Sequence, residues 1–122
     1  MKINPNLTRE EYDIIVKKGT EKPFTGKLLY NKEKGVYACK NCGAEIFSSD
    51  AKFDSACGWP SFDKVKDSQN VKLNEDLSFG MKRIEVTCAK CGAHLGHLFD
   101  DGPTDTGKRY CINSLSMDFK KT

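Results

Sequence analysis

The sequence has little that would commit it to a membrane or to nucleic acid. No apolar run in its 122 residues approaches the length of a bilayer span. Its opening stretch, MKINPNLTREEYDII, holds no apolar core of the kind that makes a secretory leader. Charge of one sign is also scarce. Lys and Arg number 20 against 17 Asp and Glu, a net charge of +3, which is too weak a bias to argue for a polyanionic partner. There is no linker and no low-complexity segment, and only two histidines and one tryptophan are present. These absences predict one soluble domain, residues 1–122, in a reducing compartment, the cytoplasm. Cysteines there serve metals or catalysis more often than structural disulfides.

Cysteine is the residue that is present in force, with six in the chain. Four stand as Cys39 and Cys42 in CKNCGA and Cys88 and Cys91 in CAKCGA. Each C-x-x-C lets two thiolates reach one ion from a tight turn, and the glycine that follows lets the chain fold back past its ligands. Two such knuckles complete a four-sulfur tetrahedron, the closed geometry of structural zinc, with iron as the soft-metal alternative. A thioredoxin-type redox pair would need a βαβ context, which is missing. A full sulfur set leaves no position for water or substrate, so chemistry must lie elsewhere. The interval between the knuckles, residues 43–87, is long for a zinc ribbon and contains CGWPSF.

The remaining pattern is mainly β. One helix is signalled over Arg9–Lys18 by a Thr8/Glu11 capping box, with Leu7 and Tyr12 as a hydrophobic staple and Gly19 as a stop. TEKPFTG reads as loop or extended chain. GVYACKNCG and GMKRIEVTCAKCG read as strands entering the knuckles, AEIFSS and VKLNED as edge or paired strands, and HLGHLF and RYCINSLSMDF as the last strands. DDGPTDTG is a turn-rich loop.

Cys57 and Cys111 are left over. If KRYCIN is extended, alternation puts Arg109, Cys111 and Asn113 on one face and Tyr110 with Ile112 on the other, toward the core. A cation beside Cys111 favours thiolate over thiol, whereas a free cysteine is also commonly a small core residue. The residue pattern leaves both readings open. Trp59, on a bend made by Gly58 and Pro60, is either a core ring or an indole wall for an apolar group. His94 and His97 are the available proton donors near neutral pH. Strict alternation sends them to opposite faces unless the chain turns at Gly96. A zinc-ribbon binding module explains the knuckles but leaves Cys57 and Cys111 idle. A zinc deaminase would need an H-x-E motif that HLGHLF does not supply.

CGWPSF, HLGHLFDDGP and RYCINS, bracketed by the two C-x-x-C pairs, resemble the B-type peptide methionine sulfoxide reductases over nearly the whole chain. The resemblance implies two antiparallel sheets with a short N-terminal helical segment, clamped by one structural zinc on Cys39, Cys42, Cys88 and Cys91. It implies reduction of methionine-R-sulfoxide in proteins, with Cys111 as nucleophile, Cys57 as resolving cysteine and thioredoxin as reductant. Trp59, His94, His97, Asp101, Arg109 and Asn113 are the substrate-side residues that it carries over.

Overall fold

The computed structural model describes residues 1–122 as one helix and nine strands arranged in two antiparallel sheets. Thr8 caps α1 (Arg9–Ile15). Its hydroxyl accepts from the Glu11 N–H at 3.1 Å while the Glu11 carboxylate accepts from the Thr8 N–H at 2.8 Å. The helix stops earlier than Lys18. Lys18 turns left-handed (φ 62°), and the Gly19 N–H reaches back to the Asp13 carbonyl at 3.0 Å. Ile14 and Ile15 are its buried side chains, and no helix is long and apolar enough to cross a membrane.

The small sheet consists of β1 (Gly35–Cys39), β2 (Glu45–Ser48) and β9 (Met117–Lys121), in the order β2-β1-β9. The large sheet runs β3-β4-β8-β7-β6-β5, built from β3 (Lys52–Phe53), β4 (Ser61–Phe62), β5 (Val71–Asp76), β6 (Arg83–Cys88), β7 (His94–Phe99) and β8 (Arg109–Ile112). An aromatic cluster joins them. Phe47 and Phe62 stack at 4.2 Å, Tyr37 meets Phe62 edge-on at 5.0 Å, and Tyr110 lies against Phe47 at 5.7 Å. Truncating a ring as deeply buried as Phe62 costs about 3–5 kcal/mol.

Two sequence expectations change. RYCINSLSMDF is not one strand. A 3-10 turn over Ser114–Ser116 divides it, sending β8 to the large sheet and β9 to the small one. The cause is polar and buried: the Asn113 amide donates to the Leu95 carbonyl at 3.1 Å, and the Ser116 hydroxyl to the His94 carbonyl at 2.9 Å. These bonds take the segment out of the ladder. The two-residue strands β3 and β4 were also not expected, being too short to show a period.

Register places the reactive residues. Cys111 pairs with His97 on one side and with Ser61 on the other, and His97 in turn pairs with Glu85. Val86 pairs with Gly96 but Thr87 with His94, so Leu95 is an extra residue and β7 carries a bulge. The bulge resets the alternation. His94 and His97 fall on the same side with ring centroids 5.5 Å apart. The device is the bulge at Leu95, not a turn at Gly96.

Candidate active site

The four paired cysteines converge. β1 ends at Cys39 and β6 ends at Cys88, and each runs into its knuckle, so the cluster links the two sheets. All four sulfur atoms lie within 4.8 Å of one another, with Cys39–Cys91 at 3.7 Å and Cys42–Cys88 at 3.6 Å. Sulfurs bonded to one tetrahedral zinc at 2.3 Å would stand about 3.8 Å apart, so the donor set fits a metal of that kind.

The other two cysteines meet in a separate place. Cys57 Sγ and Cys111 Sγ are 3.3 Å apart, and both thiols are free. Cys57 lies on a tight turn. Gly58 has φ 96°, and a Cβ there would stand 2.6 Å from Pro23 Cβ, so both conformation and space demand glycine. The Ser55 hydroxyl donates to Cys57 Sγ at 2.9 Å, and Ser61 Oγ lies 3.4 Å away. Burial pushes the Cys57 thiol up, but the bonds from Ser55 and Ser61 outweigh it and bring it down to about 7. Cys111 moves the other way. Burial, then its hydrogen bond to Cys57 and the charge there, raise it, while Arg109 pulls less strongly downward. Arg109 favours the Cys111 thiolate, as a neighbouring cation should, but burial and Cys57 outweigh it in the dithiol. The two thiols, in contact at 3.3 Å, titrate as a pair, with the downward pull on Cys57 and the upward one on Cys111.

A cavity of about 230 Å³ opens over the pair, lined among others by Trp59, His97, Arg109, Cys111 and Asn113. Trp59 is half-buried, its indole N–H donating to the Glu21 carbonyl at 3.0 Å. Asn113 is buried and fixed from two sides, since its Oδ1 also accepts from the Glu21 N–H at 3.0 Å. Arg109 donates twice to Asp101, at 2.9 and 3.2 Å, and its guanidinium lies 4.4 Å from the centre of the Phe99 ring. Asp101 itself does not line this cavity and reaches it through Arg109.

The two histidines separate in role. His97 lines the cavity and bonds Asp76 through Nε2 at 2.8 Å. His94 does not line it. It is buried behind His97, its Nδ1 2.7 Å from Glu85 Oε2, and burial holds it below its ordinary range despite the carboxylate.

The model of the SelR domain family matches residues 7–121. Similar proteins carry a specific name. The peptide methionine sulfoxide reductase MsrB of Methanosarcina barkeri is 62% identical over 114 residues, covering 93% of this chain and 80% of that protein. The chain belongs to the MsrB family. The MsrB of Methanosarcina mazei is 61% identical, covering 94% of this chain and 82% of its own length. The mitochondrial methionine-R-sulfoxide reductase B3 of Mus musculus is 49% identical over 96% of this chain and 46% of that protein. The crystal structure of a Mis18 Yippee-like domain superposes with a TM-score of 0.58 at 16% identity, covering 74% of this chain and 98% of that one, which is a likeness of fold alone.

Several residues around this cavity escaped the sequence reading. Asp76 and Glu85 lie in strands that read only as pairing segments, yet each holds a histidine. Thr20, Arg83 and Phe99 line the cavity. Glu21, a charged residue in a loop, is buried and stitches the site together, its carboxylate accepting from the Leu115 N–H at 3.0 Å. No local pattern marks such residues, because their partners are distant in sequence.

Proposed function

We propose that residues 1–122 act as a single MsrB domain that reduces methionine-R-sulfoxide in oxidised proteins, in a reducing compartment such as the cytoplasm. The observation that carries this reading is the Cys57–Cys111 contact of 3.3 Å beneath a cavity walled by Trp59 and His97. The sulfoxide methyl packs on Trp59, and His97, or a water it holds, donates to the sulfoxide oxygen. Cys57 thiolate takes the proton of Cys111, and Cys111 attacks the sulfur. The sulfur–oxygen bond breaks, oxygen passes to Cys111 as a sulfenic acid, and methionine leaves. Cys57 then attacks the sulfenic sulfur, releasing water and closing a Cys57–Cys111 disulfide. Contraction from the present contact to a bond of about 2.05 Å is a small motion. A dithiol protein of the thioredoxin class resets the pair. Arg109, held by Asp101, keeps positive charge beside both sulfurs, Asn113 fixes the end of β8, and His94 with Glu85 backs His97. One zinc on the four-cysteine cluster supplies rigidity when bound, because four thiolates leave it no open position.

One feature favours the reverse assignment, with Cys57 as the attacking group: the bonds from Ser55 and Ser61 draw the Cys57 thiol down to about 7. The register favours Cys111, which pairs directly with His97. Methionine released per enzyme, without reductant and on separated sulfoxide epimers, decides between them. Cys57→Ser should release about one methionine and leave a sulfenic acid that dimedone labels, and Cys111→Ser should release none. The opposite pattern reverses the roles, and no release from either variant or from the parent protein defeats the scheme.

A further inference from the structure

The β5–β6 hairpin contributes a carboxylate to the cavity side of the molecule that the reaction scheme above does not use. Asp76 is the last residue of β5 and pairs with Arg83 at the start of β6. Its Oδ1 accepts from the Ser78 N–H at 2.9 Å. Its Oδ2 faces Arg83 Nη2 at 3.4 Å and His97 Nε2 at 2.8 Å. The carboxylate is thus tied on both oxygens before it meets the imidazole.

We infer that Asp76 is the positioning residue of His97: it holds Nε2 as a donor and makes the ring an acid acting through its other nitrogen. The inference rests on the reductase reading. The Ser78 N–H first, and His97 second, hold the Asp76 carboxyl well below the usual carboxylate range, so it is an anion at neutral pH. An anionic acceptor forces the proton onto Nε2. The nitrogen left free is Nδ1, which donates to a sulfoxide oxygen only when the ring is imidazolium.

Other charges bear on the same ring and must be counted. From β6, Glu85 is already bonded to His94 and lies 3.5 Å from Lys18, while the Arg83 guanidinium is shared with Asp76. From β7, His94 is held neutral by burial. From β8 and the turn before β4, Arg109, Cys111 and Cys57 line the cavity, and Lys17 stands on the outer side beyond α1. Asp76 is the anion bonded directly to the ring, so its removal isolates one contribution.

The test measures the rate of methionine release in a single turnover against pH, for the parent protein, Asp76→Asn and Asp76→Glu. Asn keeps an acceptor but loses the charge. The rate of Asp76→Asn should fall about tenfold or more at neutral pH. Asp76→Glu should restore part of the rate. The ring spectra of Asp76→Asn should show the His97 proton spread over both nitrogens. A slower Asp76→Asn whose His97 proton stays on Nε2 as in the parent would show a merely structural role and overturn the inference, as would an unchanged rate. Nitrogen-15 spectra of the histidine rings in the parent protein supply an arm independent of activity and of variant folding. His97 should carry its neutral-form proton on Nε2, and a proton on Nδ1 overturns the inference. If the parent protein releases no methionine from either epimer, the reductase reading itself falls and the acid role with it, while the ring spectra still report the Asp76 contact.

Discussion

Gly96→Ala is the smallest change that should damage the site without touching a reactive side chain. Gly96 sits on β7 between Val86 and Ile112, one residue before His97. Its backbone is not left-handed, so alanine suits its conformation, and the obstacle is space alone. A Cβ there would overlap the Cys111 carbonyl oxygen and stand 2.9 Å from Ile112 Cα and 3.0 Å from the Cys111 carbonyl carbon. Ordinary carbon contacts lie at about 3.5–4.0 Å, so β8 must retreat by roughly 1 Å. Backbone cannot rotate aside as a side chain does. The strain of such an insertion costs about 1–3 kcal/mol, which in a domain of this size lowers the melting temperature by roughly 3–15 °C. The catalytic loss should be disproportionate. The same shift carries Cys111 away from His97 and alters its spacing to Cys57 on the β4 side, and a misplacement of about 1 Å is worth about a hundredfold in rate. The assay pairs thermal melting with the first-turnover rate per folded molecule. A variant that melts as the parent does and turns over within about twofold of it would refute the close approach of β7 and β8 and the geometry built on it.

Other outcomes follow from the same contacts. Cys39→Ser or Cys88→Ser should lower metal content and melting temperature together, since metal affinity is partly folding free energy, and full metal loss with unchanged melting would remove the structural role. Trp59→Phe leaves the buried Glu21 carbonyl without its donor and should cost about 1 kcal/mol, whereas Trp59→Ala should lose most of the catalytic rate. Melting and kinetics run in parallel separate packing from substrate contact. The folded Cys57 thiol is depressed to about 7, so its thiolate accumulates as pH rises through 7. Within the Cys57–Cys111 pair, alkylation by iodoacetamide should first take Cys57, with a midpoint near pH 7. Mass mapping that finds Cys111 labelled first would reverse the order of ionisation.

What the sequence made legible was local or periodic. Thr8 and Glu11 announce a helix start because the capping box is a four-residue event. The knuckles are legible because metal spacing is short. RYCI could be assigned its faces because alternation needs only four residues, and the structure buries Tyr110 and Ile112 while Arg109 and Cys111 stay partly open. What was not legible depends on contacts across the fold. Strict alternation separated His94 from His97, and only the unequal pairing of β6 with β7 reveals the bulge that reunites them. Glu21 looked like a loop charge, yet its backbone and carboxylate bond Asn113, Trp59 and Leu115 from across the chain. Asp76 sat in a plausible edge strand, and its bond to His97 spans two strands of the sheet.

The same topology explains why a metal cluster and a thiol pair occur together in so small a domain. β7 is the strand on which both depend. It begins at His94, shortly after the Cys88/Cys91 knuckle, and carries His97 opposite Cys111. Without a clamp, the β6–β7 connection would be held by its own turn bonds, Gly92 N–H to the Cys88 carbonyl at 2.7 Å and Cys88 N–H to the Ala93 carbonyl at 2.9 Å. Such turns open locally at little cost. A metal held by the four sulfurs, shared with the β1 knuckle, would tie that turn to the other sheet and oppose a slide of the start of β7 along β8. A slip of one residue would turn His97 to the opposite face and away from the cavity. A metal-loaded cluster and the Leu95 bulge would then act on one variable, the register of β7. Cys57, in contrast, is carried on a turn held by side-chain bonds from Ser55 and Ser61, and under the proposed scheme the approach of the two sulfurs falls to that turn, outside the ladder of β7 and β8.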